Sequence, residues 1–510
     1  MSQARRLRRQ QTQPAQYIQP APQIEIPQQP VLHAPLWLSA AFLIPNLGAL
    51  AGGFVFDDRV LIAENQSLHV HSLSQLLHIW KAGYWPDNRG LELYRPVAQT
   101  VWALLWAAGN GSPALFHTVG LALGLAAVLL LYRLFLAAQI PPLTAFLAAA
   151  LFALFPIHTD ATASVAGSAE LMAAAFSLGA LLFYYQNRPI PALILFGLAV
   201  FSKESAAAFA ALPLAFPNRQ TPPRNYKMMG AGAAIIIAAA LAAHQAVSRS
   251  SLIPPIDNPA ALLDSSRRIL TALWVQCLYV FKTVAPLTLS ADYSYKQLPL
   301  VMGLDDGRAL AGLALAGGAI FLLLRRPQFR APILAYAILF SPTANVLFPI
   351  GTIMGERLAY APTLGIALLL GILLARTRYW KPVLIGVAVV FAARTAVRNV
   401  DWRNPHNFYY KLLETSPESA KSHYSIGVLL AANGDDEGAV AAYTHAIDIF
   451  PAYAEAFRNR GNALARLGRG AEAMASYQQC LRFDPGDYAA NTNLRELQAG
   501  RAVYPPRAHP

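Results

Sequence analysis

The chain has 510 residues, 55% of them hydrophobic and 13% charged, with a mean hydropathy of +0.37. A soluble domain carries about 25% charged residues, so one water-soluble core is excluded and a polytopic membrane protein is expected. The net charge of +13 does not mark a nucleic-acid partner, because its Lys and Arg residues lie mostly in short loops between apolar runs, where they report orientation.

Residues 1–33 carry Arg5, Arg6, Arg8 and Arg9 and then turn rich in Gln and Pro, a composition unable to bury a core. A disordered basic cytoplasmic tail is expected there. The run 36–54 approaches the roughly 20 apolar residues that cross a bilayer and lacks a small-residue cleavage site, so it reads as an uncleaved first span. With the tail inside, this span leads out to a long external loop, 55–113, which opens on Asp57 and Asp58. Within it the apolar stretch 94–108 reads as an interfacial or re-entrant helix. Further spans are expected at 114–132, 143–155 and 167–185, then a short pair at 190–201 and 206–216, then 229–247. A second external loop, 248–308, contains the apolar stretch 269–286. The last spans are 309–324, 332–348, 358–374 and 383–397. This makes eleven, thirteen being equally compatible with an inner N-terminus and an outer C-terminus. Arg133, Arg188, Arg219, Arg224, Lys227 and Arg325 then fall on the inner side, as short-loop cations should.

After residue 397 a 34-residue period begins. Gly427, Ala439, Tyr443, Ala446 and Pro451 recur as Gly461, Ala473, Tyr477, Cys480 and Pro485. Small residues where two helices touch, an aromatic that packs and a proline that ends the second helix are the tetratricopeptide pattern. The expected fold is all-α: a membrane helical bundle over 34–398, followed by a tetratricopeptide solenoid over 403–499 and a tail over 500–510. The solenoid comprises two full repeats, 420–453 and 454–487, flanked by a partial repeat and a capping helix. Such an array presents a groove to an extended peptide or partner protein, or acts only as a spacer. The two cysteines, Cys277 and Cys480, fit neither a metal spacing nor a disulfide framework.

The expected topology puts five polar clusters on the external side: Asp57-Asp58, Tyr94-Arg95, His158 with Asp160, Lys203-Glu204 and Glu356-Arg357. An active site at the outer surface requires such convergence. Transfer of a sugar from a polyprenyl phosphate needs a base, which Asp57 or Asp58 can supply, and cations for the departing phosphate, which Arg95, Lys203 and Arg357 can supply. His158 can donate to phosphate or sugar, while Asp160 and Glu170 can bind sugar hydroxyls. Asp57, Asp58 and Asp160 are also candidates to hold Mg or Mn through oxygen. Each residue has a structural alternative: Asp57-Asp58, His158 and Lys203 as helix caps, and Glu356 and Arg357 as charges paired elsewhere.

The motifs Phe56-Asp57-Asp58, Tyr94-Arg95-Pro96, Phe155-Pro-Ile-His-Thr-Asp160, Ser202-Lys203-Glu204, Leu289-Ser-Ala-Asp-Tyr-Ser-Tyr295 and Gly355-Glu-Arg-Leu-Ala-Tyr-Ala-Pro362 stand ahead of the repeats. In that order they resemble the transmembrane and tetratricopeptide-repeat (TMTC) family of protein O-mannosyltransferases, within the GT-C membrane glycosyltransferases. The resemblance implies a catalytic acid residue in the first external loop, hence Asp57 or Asp58. By their chemistry and expected placement Arg95, His158, Asp160, Glu170, Lys203, Glu204, Glu356 and Arg357 are the candidates to surround the lipid phosphate and sugar. The expected reaction is transfer of mannose or another hexose from a polyprenyl-phosphate carrier to Ser or Thr of an exported protein, inverting because a single positioned base suffices. The enzyme would sit in the inner or plasma membrane, with its repeats on the periplasmic or lumenal side. Two departures are visible: Ser168 stands where the family shows a basic residue, and the array is short. The competing expectations are a GT-C enzyme acting on an envelope glycolipid or polysaccharide, and a non-enzymatic scaffold displaying repeats.

Overall fold

The computed structural model describes residues 31–86, 93–217, 225–247 and 253–504. Most of the expected basic tail, with Arg219 and Arg224 of the expected inner loop, lies outside the described residues. Every regular element among the described residues is helical. Through the first half these are α1 (Ala34–Asn46), α2 (Leu73–His78), α3 (Pro96–Gly109), α4 (Pro113–Ala137), α5 (Pro142–Leu154), α6 (Thr159–Ala163), α7 (Ser168–Tyr185), α8 (Pro189–Ser202) and α9 (Tyr226–Val247). Then follow α10 (Ser265–Val284), α11 (Gly307–Arg325), α12 (Arg330–Phe340), α13 (Thr363–Ala375) and α14 (Trp380–Asp401).

Helix α5 is the centre of the bundle. It is apolar on every side apart from Thr144, which suits a helix surrounded by others, and every residue from Leu143 to Leu154 is buried against α1, α4, α13 and α14. Small residues permit the close approach, as they do between helices in lipid. A Cβ on Gly371 of α13 would come within 2.9 Å of the backbone nitrogen of Ala148. At Phe155-Pro156 the chain bends by 50°, because a proline cannot donate to the helix and biases its predecessor towards extended backbone. The bend turns His158 and Asp160 into the interior.

Six described helices are long and apolar enough to cross a membrane, or seven if the bent pair counts as one span. The other expected spans fall on shorter elements. The stretch expected at 206–216 is a 3₁₀ helix, Glu204–Leu214, and α8 and α13 have 14 and 13 residues. The span expected over 332–348 ends at Phe340. Beyond it Asn345 adopts a left-handed φ of 59°, accepts from the N–H of Ile350 (2.9 Å) and donates to the carbonyl of Thr352 (3.0 Å), closing a compact turn. The apolar side chains of α9 and α11 face outward, with Ile235 and Phe321 largely exposed, as lipid-facing helices require. The expected interfacial stretch 269–286 lies on α10, whose buried stripe of Ala272, Val275, Gln276, Tyr279 and Thr283 follows helical spacing.

The C-terminal array comprises α15 (Pro405–Thr415), α16 (Ala420–Ala432), α17 (Asp436–Ile449), α18 (Ala454–Arg466), α19 (Gly470–Phe483) and α20 (Tyr488–Gln498). The repeat has a direct packing cause: the rings of Tyr443 and Tyr477 lie on Gly427 and Gly461, each 2.6 Å from where a Cβ would stand. The array abuts the loops of the membrane part. Gly53 donates its N–H to the carbonyl of Arg403 (3.0 Å), Lys421 pairs with Asp257, and the rings of Tyr295 and Phe450 are 4.9 Å apart. Loops 53–59, 254–258 and 289–297 therefore share one side with the array.

Candidate active site

The turn after α1 separates the two adjacent carboxylates. Phe56 is held at a left-handed φ of 53° and Asp58 donates its N–H back to the carbonyl of Val55 (3.0 Å), so Asp57 and Asp58 point apart. Asp58 is fully buried. Its carboxylate accepts from the Ser164 hydroxyl (2.9 Å), the Val165 N–H (3.0 Å) and the Ala166 N–H (2.7 Å). Burial pushes this carboxyl up to about 7, against the pull of those three donors. Asp58 thus fastens loop 164–166 to the first loop and has no oxygen to offer a substrate. Asp57 keeps a side-chain exposure of 16%, and its Oδ2 accepts from Arg357 Nη2 at 2.8 Å. Of the pair, only Asp57 is accessible.

Arg357 is the hub of this half of the site. Its backbone N–H donates to Asp160 Oδ2 (3.0 Å) while its guanidinium reaches Asp57, and a third of its side chain is exposed. Its neighbour Glu356 is fully buried. Glu356 Oε1 accepts from the Ser290 N–H (2.7 Å) and from the Tyr293 hydroxyl, and the carboxylate lies 3.8 Å from Arg398. Burial raises the Glu356 carboxyl to about 7, with Arg398 and Tyr293 opposing. Gly355 is pinned in turn by the Tyr279 hydroxyl, which accepts its N–H and donates to its carbonyl, each at 3.0 Å.

A second arm runs through Arg95, whose guanidinium donates two bonds to Glu204 (2.9 and 2.6 Å) and lies 4.7 Å over the ring of Tyr84. Burial raises the Tyr84 hydroxyl above the ordinary phenol value, with the charges of Arg95 and Arg357 opposing. Beneath lies the buried ion pair of Lys203 with Glu170. A narrow crevice lined by Glu170, Ala206, Phe209, Leu358 and Pro362 opens beside this pair.

The expected site residues therefore fall into three linked groups: Asp57 with Arg357 and Asp160, Arg95 with Glu204, and Glu170 with Lys203. Of these residues only Glu170 lines the crevice. Asp58 and Glu356 are interior fasteners. His158 sits in an aromatic box of Phe152, Phe155 and Tyr360, its Nε2 2.7 Å from the Thr363 hydroxyl. Among the described residues no group of three or more His, Cys, Asp or Glu is arranged to hold a metal ion. Of the three aspartates expected as possible ligands, Asp58 spends both oxygens on protein donors, whereas Asp57 and Asp160 each accept on Oδ2. Ser168 is occupied as the acceptor for Trp102 Nε1 at 2.9 Å, a packing role. Tyr84, Tyr293, Ser290 and Arg398 were not foreseen as participants. The run 289–295 was visible as a motif, whereas Tyr84 sits in an irregular loop without a periodic signal.

Residues 250–320 match the profile described as "Protein O-mannosyl-transferase TMTC, DUF1736", and residues 429–468 and 454–487 match tetratricopeptide repeat profiles. The chain is similar to protein O-mannosyl-transferase F38B6.6 of Caenorhabditis elegans, 28% identical over 439 residues covering 82% of this chain and 63% of that protein. It is also similar to protein O-mannosyl-transferases TMTC4 and TMTC3 of Mus musculus. These are 26% and 25% identical, cover 77% and 83% of this chain, and match over 63% and 52% of their own lengths. The chain thus spans between about half and two thirds of these relatives. In its helical membrane part, its repeats and these matches, the chain is similar to the TMTC proteins.

Proposed function

We propose that this chain is a membrane glycosyltransferase that moves mannose or another hexose from a polyprenyl-phosphate carrier to a Ser or Thr hydroxyl of a protein. Residues 34–398 form its membrane domain and residues 403–499 an array that brings the acceptor, raising its local concentration. The observation that carries the proposal is the accessible carboxylate of Asp57, engaged on one oxygen by Arg357. The names of the similar proteins support the same reaction class.

In this reaction Asp57 takes the proton of the acceptor hydroxyl. The acceptor oxygen forms a bond to the anomeric carbon as the bond from that carbon to the phosphate oxygen breaks, and polyprenyl phosphate leaves with the electron pair. One positioned base and no carboxylate nucleophile imply direct displacement with inversion. Arg357 and Arg95 stabilise the charge that accumulates on the departing phosphate; a planar guanidinium can meet a phosphate bidentately. The Glu170–Lys203 pair supports the floor of the crevice.

The site lies on the external face of the inner or plasma membrane, with the N-terminus in the cytoplasm. The shared side of loops 53–59 and 254–258 and the array supports this topology, and the cation count sets its sense. The decisive experiment is transfer from a polyprenyl-phosphate-linked mannose to a Ser/Thr-rich protein by purified full-length chain. Turnover is expected to disappear in Asp57→Asn with folding intact; undiminished turnover overturns the assignment. Glycoproteomics in a deletion strain identifies the acceptor class. Loss of a glycan from a lipid or polysaccharide, with no protein affected, would overturn the protein acceptor.

A further inference from the structure

Both members of the Asp57–Arg357 pair are held by one stretch of chain outside the membrane domain. On the Asp57 side, Gly53 is bonded to the carbonyl of Arg403, and the ring of Phe56 lies 5.3 Å from that of Phe408 on α15. Phe56 precedes the reacting carboxylate and occupies left-handed backbone, which is unfavourable for a bulky side chain. Such a conformation persists only where the surroundings over-determine it. Here they are Phe408, Trp402, Ala49 and Val55, packed as one buried cluster.

On the Arg357 side the connection is polar. The Ser416 hydroxyl donates to the Asp292 carbonyl (2.6 Å) and lies 2.7 Å from the Ser290 hydroxyl, and the Ser419 hydroxyl donates to the Asp292 carboxylate. Ser290 and Tyr293 then bind Glu356 Oε1, one residue from Arg357. All six of Ser290, Asp292, Tyr293, Glu356, Ser416 and Ser419 are buried, so none of them contacts donor or acceptor. Among the described residues Glu356 Oε2 has no hydrogen-bond partner and faces Arg398 at 3.8 Å; the bonds to Oε1 and along the serines are made, and buried hydrogen bonds of this kind favour one arrangement of the groups they join.

We propose that residues 403–419, the half-repeat that opens the tetratricopeptide array, are a positioning element of the active site, setting Asp57 from one side and Arg357 from the other. The proposal rests on the assignment of Asp57 and Arg357 as the reacting pair. An array that only captures acceptor has no need of a buried hydrogen-bond chain to Glu356. It follows that loosening this chain lowers turnover with every acceptor, water included, and not only with proteins large enough to engage the repeats.

The test uses full-length Ser416→Ala/Ser419→Ala, with Ser416→Thr/Ser419→Thr as the variant that keeps both hydroxyls and Ser416→Ala alone as a milder one. Two reactions are followed: hydrolysis of polyprenyl-phosphate mannose by water and transfer to a short Ser/Thr peptide. Hydrogen exchange is followed at 353–358. The double alanine variant is expected to lose kcat in both reactions on the order of 10- to 100-fold, the scale of a misplaced catalytic group. Donor KM is expected to hold, exchange at 353–358 to rise and exchange over 436–498 to stay unchanged, with the threonine variant restoring turnover. If the double variant fails to fold, the single variant is expected to show the same pattern at smaller size. Unchanged hydrolysis with only the protein-acceptor KM raised, or unchanged exchange at 353–358, overturns the proposal. A wild-type chain with neither hydrolysis nor transfer refutes the transferase function instead. The exchange result then decides the positioning role alone, a rise supporting it and no change overturning it.

Discussion

The substitution Asp58→Asn separates the two adjacent carboxylates. In the folded protein Asp58 accepts three donors on two oxygens. An amide of the same shape offers one oxygen and turns an NH₂ towards at least one of those donors. The cost is one unsatisfied buried N–H or O–H, about 1–3 kcal/mol. The pH dependence has a definite sign. The carboxyl is raised from 3.8 to about 7, so between those values the folded chain holds a proton that the unfolded chain has lost. The stability from this group is complete below about pH 4 and is lost as pH rises through about 7. Asparagine has no such proton, so the deficit of the variant is largest near pH 5 and narrows by pH 8. Asp57→Asn removes one partly exposed ion pair, worth up to about 1 kcal/mol, yet it removes the proposed base, worth about 10²- to 10⁴-fold in rate. Thermal unfolding of both full-length variants at pH 5 and pH 8, beside donor turnover, measures all four quantities. The reasoning fails if Asp58→Asn unfolds like wild type at pH 5 while Asp57→Asn is the unstable one.

Three further outcomes are expected. Lys203→Met should destabilise the chain by about 3–5 kcal/mol by stranding Glu170, and Glu170→Gln added to it should recover most of that; a double-mutant cycle in thermal unfolding reads the coupling, and additive effects would contradict the buried pair. Gly427→Ala and Gly461→Ala each drive a Cβ into a tyrosine ring and should cost about 1–3 kcal/mol by overpacking. Hydrogen exchange should rise within the affected repeat, and unchanged protection would contradict the contact. Arg95→Lys keeps the charge but loses the two-pronged bond to Glu204 and the stacking over Tyr84, so turnover should fall although charge is conserved; wild-type turnover would remove Arg95 from the site.

The local features were legible wherever a residue type and a spacing carry their own physical meaning. The apolar runs and the 34-residue period suffice for an all-α chain with a membrane part and a repeat array, because burying a helix or stacking a repeat demands that pattern. Asp57, Arg95, Lys203 and Arg357 stood out because charges beside apolar runs are costly. The lengths of the elements were less legible. Periodicity does not distinguish the 3₁₀ helix Glu204–Leu214 from a span, and it does not reveal that Asn345 closes a turn inside the expected span 332–348.

What only the tertiary structure decided is the work each charge does. Asp57 and Asp58 are neighbours of the same type, and nothing local tells one from the other. The left-handed turn at Phe56 sends Asp58 inward to three donors from loop 164–166, about 100 residues away, and leaves Asp57 on Arg357, 300 residues away. Glu356 and His158, expected around the lipid phosphate and sugar, are buried among protein partners, and burial depends on packing partners that the sequence does not name. The same holds for the array: composition announces its repeats, whereas its contact with Phe56 and, through Asp292 and Ser290, with Glu356 exists only once distant loops meet.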